Sequence, residues 1–153
     1  MHDPEQTAER FDAILDGYYR AWFRFHPETA VEAGFEEYAE KLRPYGDDDI
    51  GALITLNREL MFSLDELDAE SLDADRLIDY ELAWSHAALE TEDLLETDWR
   101  YRDPEHYLPV EAIHQLLVRP LGNFEQAMAA RLAAVPEYLL GARQKLGTHA
   151  EKI

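Results

Sequence analysis

Apolar side chains recur along this chain with the 3.6-residue period of an α-helix, and no stretch alternates with the two-residue period of a strand. The first apolar stripe runs between Phe11 and Phe23. It predicts a helix from about Thr7 to Phe25. Pro27 sits where a first helical residue can lack its N–H, so a short helix follows from Pro27 to Ala33, and Gly34 is placed to end it.

The rest of the pattern predicts further helices with short connections. In chain order these are a loop from Phe35 to Asp47, a helix capped by Asp47 or Asp48 that ends near Leu67, and a long helix capped by Ser71 or Asp73 that ends near Thr97. They continue with an irregular segment from Trp99 to Leu108, a helix between Pro109 and Pro120, and a helix capped by Asn123 that Pro136 breaks or restarts before Gly147. The pattern predicts an all-α fold of six to seven helices in an antiparallel bundle-like arrangement, as a single helical domain over residues 1–153.

Charge narrows the classes of partner. The chain has 14 Lys and Arg against 33 Asp and Glu, a net charge of −19, so nucleic acid and anionic membrane surfaces are disfavoured partners. Only Lys41, Lys145 and Lys152 are lysines. An acid-rich, lysine-poor surface suits a protein from a high-salt habitat, and a well-solvated acidic protein is the alternative. The N-terminal sequence has no apolar core of a signal peptide and no stretch is long enough to span a membrane, so we expect a cytoplasmic protein.

Several segments resemble, in order, the N-terminal region of the bacterial and archaeal family called domain of unknown function 885. The first is an aromatic-rich helix that runs into a His-Pro-Glu-x-Ala-x-x-x-Gly segment, here His26, Pro27, Glu28, Ala30 and Gly34. The second is the start of a long helix, here Asp75, Arg76, Asp79 and Tyr80. The third is an Arg-Asp-Pro-x-x-Tyr turn, here Arg102, Asp103, Pro104 and Tyr107. The late segment VPEYLLGARQKL resembles the helix that closes this region of the family.

The resemblance implies a longer parent protein. Full-length members resemble zinc metallopeptidases with a His-Glu-x-x-His helix in their later part, where two histidines hold zinc and the glutamate acts as general base. No histidine of this chain starts that motif. The resemblance therefore implies an N-terminal fragment that packs against a downstream catalytic domain and helps to form its substrate cleft, with zinc in the full-length family only. The alternative is a stand-alone acidic helical bundle that acts by self-association or other protein association.

The resemblance also singles out five residues that would face such a cleft or interface: His26, Glu28, Arg102, Asp103 and Tyr107. Each has a structural interpretation as well. His26 and Glu28 stand at a helix start, where a cap and a carboxylate in the first turn are stabilising. Arginines among aromatics in an acidic chain usually pair with its own acids or stack on its own rings. The arginines in question are Arg20, Arg24, Arg100 and Arg102.

Ligand counting argues against a catalytic or metal site within these residues. Glu111 and His114 have the Glu-x-x-His spacing that supplies one half of a di-iron carboxylate site, but no second Glu-x-x-His is present. His86 and Glu90 lie one helical turn apart and supply only two ligands, where a catalytic zinc needs about three. We therefore predict no catalytic residues, no metal and no cofactor in this chain. Apolar residues late in the sequence are expected to form an uncovered surface: Leu116, Leu117, Val118, Leu139 and Leu140.

Overall fold

The computed structural model of the chain describes residues 3–150, with side chains to residue 147. Within that range it has six α-helices, four single 3₁₀ turns and no strand, which confirms the predicted all-α fold. The helices are α1 (Pro4–Trp22), α2 (Pro27–Glu32), α3 (Asp47–Asp65), α4 (Ala74–Glu96), α5 (Val110–Val118) and α6 (Phe124–Ala150). The 3₁₀ turns are Glu36–Tyr38, Ala69–Ser71, Trp99–Tyr101 and Glu105–Tyr107. None of the described helices is both long and apolar enough to cross a membrane.

Contacts divide the chain into two compact units. The first unit comprises the chain up to Trp22 together with Gly46–Glu96, and the second comprises Phe23–Tyr45 together with the chain from Thr97 onward. The first unit thus holds α1, α3 and α4, and the second holds α2, α5 and α6. That residues 1–153 form one domain, and that this domain is a fragment of a longer protein, stay predictions.

In the first unit, helix α3 packs antiparallel to both of its neighbours. Early residues of α1 meet late residues of α3, as in the pair Arg10 and Glu66, while Tyr18 reaches Asn57. Asn57 in turn bonds Glu90 of α4, whereas Asp65 at the end of α3 accepts from Trp84. The apolar interior is formed by Phe11, Ile50, Leu53, Leu60, Leu64, Ala83, Ala87 and Leu94.

The helix ends partly follow the predicted caps. Gly34 has φ +96° after α2, the left-handed conformation expected of a terminating glycine. Asp73 caps α4, because its carboxylate accepts the Arg76 N–H at 2.9 Å. The predicted cap of α3 was wrong: Gly46 precedes the helix, and its N–H donates to the Asp49 carboxylate over 3.0 Å.

In the second unit, the fully buried Arg131 ties α6 to two other segments. Its guanidinium donates to the carbonyl of Lys41 at 3.0 Å, to the carbonyl of Ala112, and to Oε1 of Gln115 at 3.2 Å. Gln115 then donates to the Glu28 carbonyl at 2.8 Å, which holds α2 against α5. The adjoining apolar cluster consists of Val31, Ala39, Leu116 and Ala127.

Helix α6 differs from the sequence prediction at two points. Pro136 does not break it, and one helix runs from Phe124 to Ala150. Buried residues on both sides of the proline, Arg131 and Ala142, anchor the two halves, and the helix continues at the cost of one backbone hydrogen bond. Asn123 stands before the helix, but its side-chain oxygen accepts no hydrogen bond within the described residues.

The predicted apolar surface is largely present. Leu117, Val118, Leu139 and Leu140 are exposed. Leu116 was wrongly included, because it is buried in the apolar cluster of the second unit. It lies on the side of α5 that faces α6, whereas the next two residues turn away from it.

Candidate functional site

A cluster of four aromatic rings forms one part of the second unit. Tyr45 stands at its centre, with ring centroids 4.9 Å from Tyr107, 4.8 Å from Tyr138 and 6.4 Å from Trp99. The three contacts are edge-to-face, the geometry that aromatic quadrupoles favour. The Tyr45 hydroxyl also donates to the carbonyl of Tyr138. These contacts tie the segment before α3 to the 99–107 segment and to α6.

A buried arginine holds the 99–107 segment in place. Arg100 is 6% exposed and grips Asp98 through two hydrogen bonds of 2.8 Å. It donates a third to the Tyr45 carbonyl at 3.2 Å. The Tyr107 hydroxyl donates to the Arg100 carbonyl at 2.7 Å. Asp98 has φ +37°, a left-handed conformation, and the two hydrogen bonds that its carboxylate accepts from Arg100 stabilise it.

Burial raises the tyrosine pKa values in this cluster. It raises the pKa of Tyr138 to about 12, and it raises the pKa values of Tyr107 and Tyr45 above their ordinary value. All three hydroxyls therefore keep their protons at neutral pH. Those of Tyr45 and Tyr107 donate hydrogen bonds to backbone carbonyls.

A cavity of about 300 Å³ opens beside this cluster. Its charged and polar lining comprises Glu28 of α2, Arg43, Glu105, His106, Glu111 of α5 and Tyr138 of α6. Leu42, Leu108, Pro109 and Ala112 supply the apolar part. Because three carboxylates and one arginine line the cavity, its lining carries a net negative charge. Its volume is at the small end of the range for ligand-binding sites. Such a cavity suits a small cationic group with an apolar body.

The sequence-predicted residues lie at different distances from this cavity. Glu28 lines it directly. Asp103 positions a lining residue, because its carboxylate contacts His106 Nδ1 at 2.7 Å. Tyr107 packs at 4.9 Å against Tyr45, whose ring contacts the lining residue Tyr138. The structure therefore brings Glu28 and the 103–107 turn to one place.

Arg102 and His26 lie outside the lining. Arg102 is exposed, and His26 is the half-buried residue before α2, where its side chain makes no capping hydrogen bond. The structure thus does not support the capping interpretation of the His26 side chain. Its backbone carbonyl accepts the Ala30 N–H at 3.0 Å instead.

Asp103 owes its low pKa to local hydrogen bonds. Burial raises the pKa of this carboxyl, but hydrogen bonds from the Glu105 N–H, at 2.9 Å, and from His106 outweigh it and hold the pKa below its ordinary value. The Asp103 carboxylate, 2.7 Å from Nδ1 of His106, fixes the orientation of that ring. The ring also packs against the Trp99 ring in a tilted arrangement, with centroids 5.4 Å apart.

The other candidate side chains from the sequence analysis form contacts with residues of the chain itself. Glu90 accepts hydrogen bonds from Trp22 and Asn57, and His86 packs edge-on against Trp22 at 5.3 Å. Arg20 pairs with Asp16 at 3.0 Å. Arg24 lies 5.6 Å from the Phe25 ring centroid, and Arg100 binds Asp98. The interpretation that such arginines satisfy the chain's own acids and rings is confirmed for these three.

No group of three or more histidine, cysteine, aspartate or glutamate side chains is arranged to hold a metal ion among residues 3–147. Sequence reasoning missed Arg43 and Tyr138 as cavity residues. Neither carries a local signal, since each joins the site only through the tertiary fold. Compared with protein-family models, with curated proteins and with solved structures, the chain matches none. The resemblance to the domain of unknown function 885 family therefore stays a prediction.

Proposed function

We propose that this chain is a non-catalytic helical domain that packs against the catalytic part of a zinc-metallopeptidase-like protein and helps to wall its substrate cleft. One observation carries the proposal. The His-Pro-Glu segment and the Arg-Asp-Pro-x-x-Tyr turn, which carry the family resemblance, border a single cavity through Glu28 and His106. Two motifs far apart in the sequence that meet at a cavity favour a shared binding role.

The lining suggests which part of a peptide would enter. Glu28, Glu105 and Glu111 favour an ammonium or guanidinium group, and Leu42 and Leu108 offer an apolar contact for its stem. Arg43 lies with its guanidinium 4.9 Å from the centroid of the Trp99 ring, so part of its charge faces an aromatic surface. We infer that the site takes a basic side chain or the N-terminus of a peptide.

The test is a titration of the ¹⁵N-labelled chain with short unstructured peptides that contain one lysine, one glutamate or neither. Only the lysine peptide should shift amide signals, and the shifts should concentrate at residues 42–43, 105–112 and 138. Glu111→Gln should weaken that binding. Glu32→Gln removes a carboxylate from α2 outside the cavity and serves as the matched control. Shifts spread evenly over the acidic surface, or equal losses in both variants, would contradict the proposal.

The gene supplies a second and independent test. A reading frame that continues beyond Ile153 to a His-Glu-x-x-His helix would support the role as a domain of a peptidase-like protein. A stop codon would support the alternative, a stand-alone acidic helical bundle that acts by protein association. A domain of a larger protein keeps the apolar face that meets its partner, so the exposed Leu117, Val118 and Leu140 support the first interpretation. Sedimentation velocity on the isolated chain would report self-association.

A further inference from the structure

Helix α4 carries an exposed apolar stripe that faces away from the core of the first unit. Ile78 is 57% exposed, Leu82 64% and Leu89 66%. At 100° per residue the three side chains fall within about 40° of the helix circumference and span roughly 16 Å along it. The opposite side of the same helix is the buried one, with Ala83, Ala87 and Leu94. Exposed apolar patches with a polar rim mark interaction sites on many soluble proteins.

Carboxylates border this stripe, which we call the α4 stripe. Six exposed acidic residues lie within about 60° of it by helical geometry: Asp75, Asp79, Glu81, Glu92, Asp93 and Glu96. None of them forms an ion pair within the described part of the chain. The acidic border is therefore available to external cations.

The basic residues of the helix do not neutralise that border. Arg76 is the only arginine of α4, which has no lysine, and it lies on the far side of the helix by the same geometry. Its guanidinium is held by Asp12, through bonds of 2.9 and 2.7 Å, and by Asp73. The α4 stripe thus combines apolar anchors with an uncompensated negative border.

We propose that the α4 stripe docks a basic amphipathic helix of a partner protein. The apolar face of such a helix would cover Ile78, Leu82 and Leu89, and its lysines or arginines would meet the acidic border. A second copy is the poorer occupant, since it would bring two acidic borders together in a protein of net charge −19. This surface lies in the first unit and does not depend on the cavity of the second unit.

The small apolar area makes this a transient interface with strong electrostatic steering. Three anchors cover less surface than stable complexes bury, so affinity is modest. The opposite charges of the acidic border and the basic helix accelerate their encounter, and added salt weakens this attraction. A basic helix should therefore bind the chain at low salt and release it at high salt.

The probe is a fluorescein-labelled synthetic helix of about 18 residues, with leucines in one stripe and lysines elsewhere, measured by anisotropy. Leu82→Gln/Leu89→Gln should raise its Kd about tenfold or more, the loss typical of an anchoring pair. Leu132→Gln changes an exposed leucine on α6 and should leave Kd unchanged. Glu92→Gln/Asp93→Asn should weaken binding and flatten its dependence on KCl, whereas Glu125→Gln/Glu137→Gln should not.

Three results would overturn the proposal. The first is equal Kd values for the α4 variants and the α6 controls. The second is equally tight binding of a scrambled peptide of the same composition. The third is a dimer, seen by sedimentation velocity, that Leu82→Gln/Leu89→Gln dissociates, because the stripe would then belong to a second copy. The charge variants retain all apolar contacts, so they test the proposal even if the leucine variants unfold.

Discussion

The Tyr18 hydroxyl donates a hydrogen bond of 2.8 Å to Oδ1 of Asn57 in the interior of the first unit. The side-chain amide nitrogen of Asn57 donates a hydrogen bond of 2.8 Å to Oε2 of Glu90, and Trp22 Nε1 donates to the same oxygen at 3.0 Å. Burial raises the pKa of Tyr18, so its hydroxyl stays protonated and keeps donating. This buried network links all three helices of the unit and fixes their register.

Asn57→Ala should lower the free energy of unfolding by about 2–4 kcal/mol, because it removes the acceptor of the buried Tyr18 hydroxyl and one of the donors to the Glu90 carboxylate. Tyr18→Phe should cost about 1–2 kcal/mol. The double variant should cost less than the two losses together, since one hydrogen bond is counted in both. Urea unfolding measures all three. Thr55→Ala, an exposed position on the same helix, is the control, and a loss at Asn57 no larger than at Thr55 would contradict the role of the network.

Gly141→Ala should destabilise the chain although alanine favours helices. A Cβ at position 141 would overlap the Tyr45 hydroxyl and approach its Cζ to 3.2 Å. Tyr45 cannot move away cheaply, because it bonds the Tyr138 carbonyl and packs among three rings. Gly51→Ala, in α3 with nothing within 4 Å of the added Cβ, should instead raise stability by about 0.5–1 kcal/mol.

Thermal unfolding measures the opposite changes in stability that we expect from these two substitutions. The penalty at Gly141 should shrink in a Tyr45→Phe background, where the clashing oxygen is gone. An equal gain in stability at both glycines would show that Tyr45 does not occupy the space beside α6.

The Asp12 carboxyl should titrate below an ordinary aspartate. Hydrogen bonds from Arg76 lower its pKa in the folded chain. Because the folded carboxyl binds its proton less tightly than the unfolded one, the pair stabilises the fold above about pH 4, and this contribution is lost as the pH falls through the folded pKa. Carboxyl ¹³C NMR should show the Asp12 pKa rising in Arg76→Gln. An unchanged value in that variant would exclude Arg76 as the cause.

The melting temperature should rise with KCl. With a net charge of −19, the carboxylates of the folded chain repel one another. Salt screens this repulsion, because the Debye length falls to about 10 Å at 0.1 M salt. Scans from low to molar KCl measure the effect, with sulfate excluded because it strengthens apolar burial by another route. A flat or falling melting temperature would show that charge repulsion does not dominate stability. The association with a high-salt habitat would then lose its physical basis.

Local signals predicted the helices well. The apolar period located the five longer helices and Pro27 placed α2, while Gly34 and Asp73 marked two helix ends as expected. Where the prediction failed, tertiary contacts decide the outcome. Pro136 stays inside α6 because buried residues flank it on both sides.

The candidate site was predictable only in part for the same reason. Glu28 and the 103–107 turn stand out as motifs in the sequence, whereas Arg43 and Tyr138 join them through folding. The buried position of Arg131 gives no local sign either, since arginine is usually exposed. Two of its three acceptors are backbone carbonyls, which no pattern of side chains reveals.

The hydrogen bond from Arg131 to Lys41 joins positions 90 residues apart, and it closes the second unit across the whole of the α3–α4 segment. During synthesis the ribosome therefore completes every residue of the first unit before it produces α6. Loop closure over so long a stretch is slow compared with the pairing of neighbouring helices. We expect folding in two stages, with the α1–α3–α4 core formed on the nascent chain and the cavity assembled last.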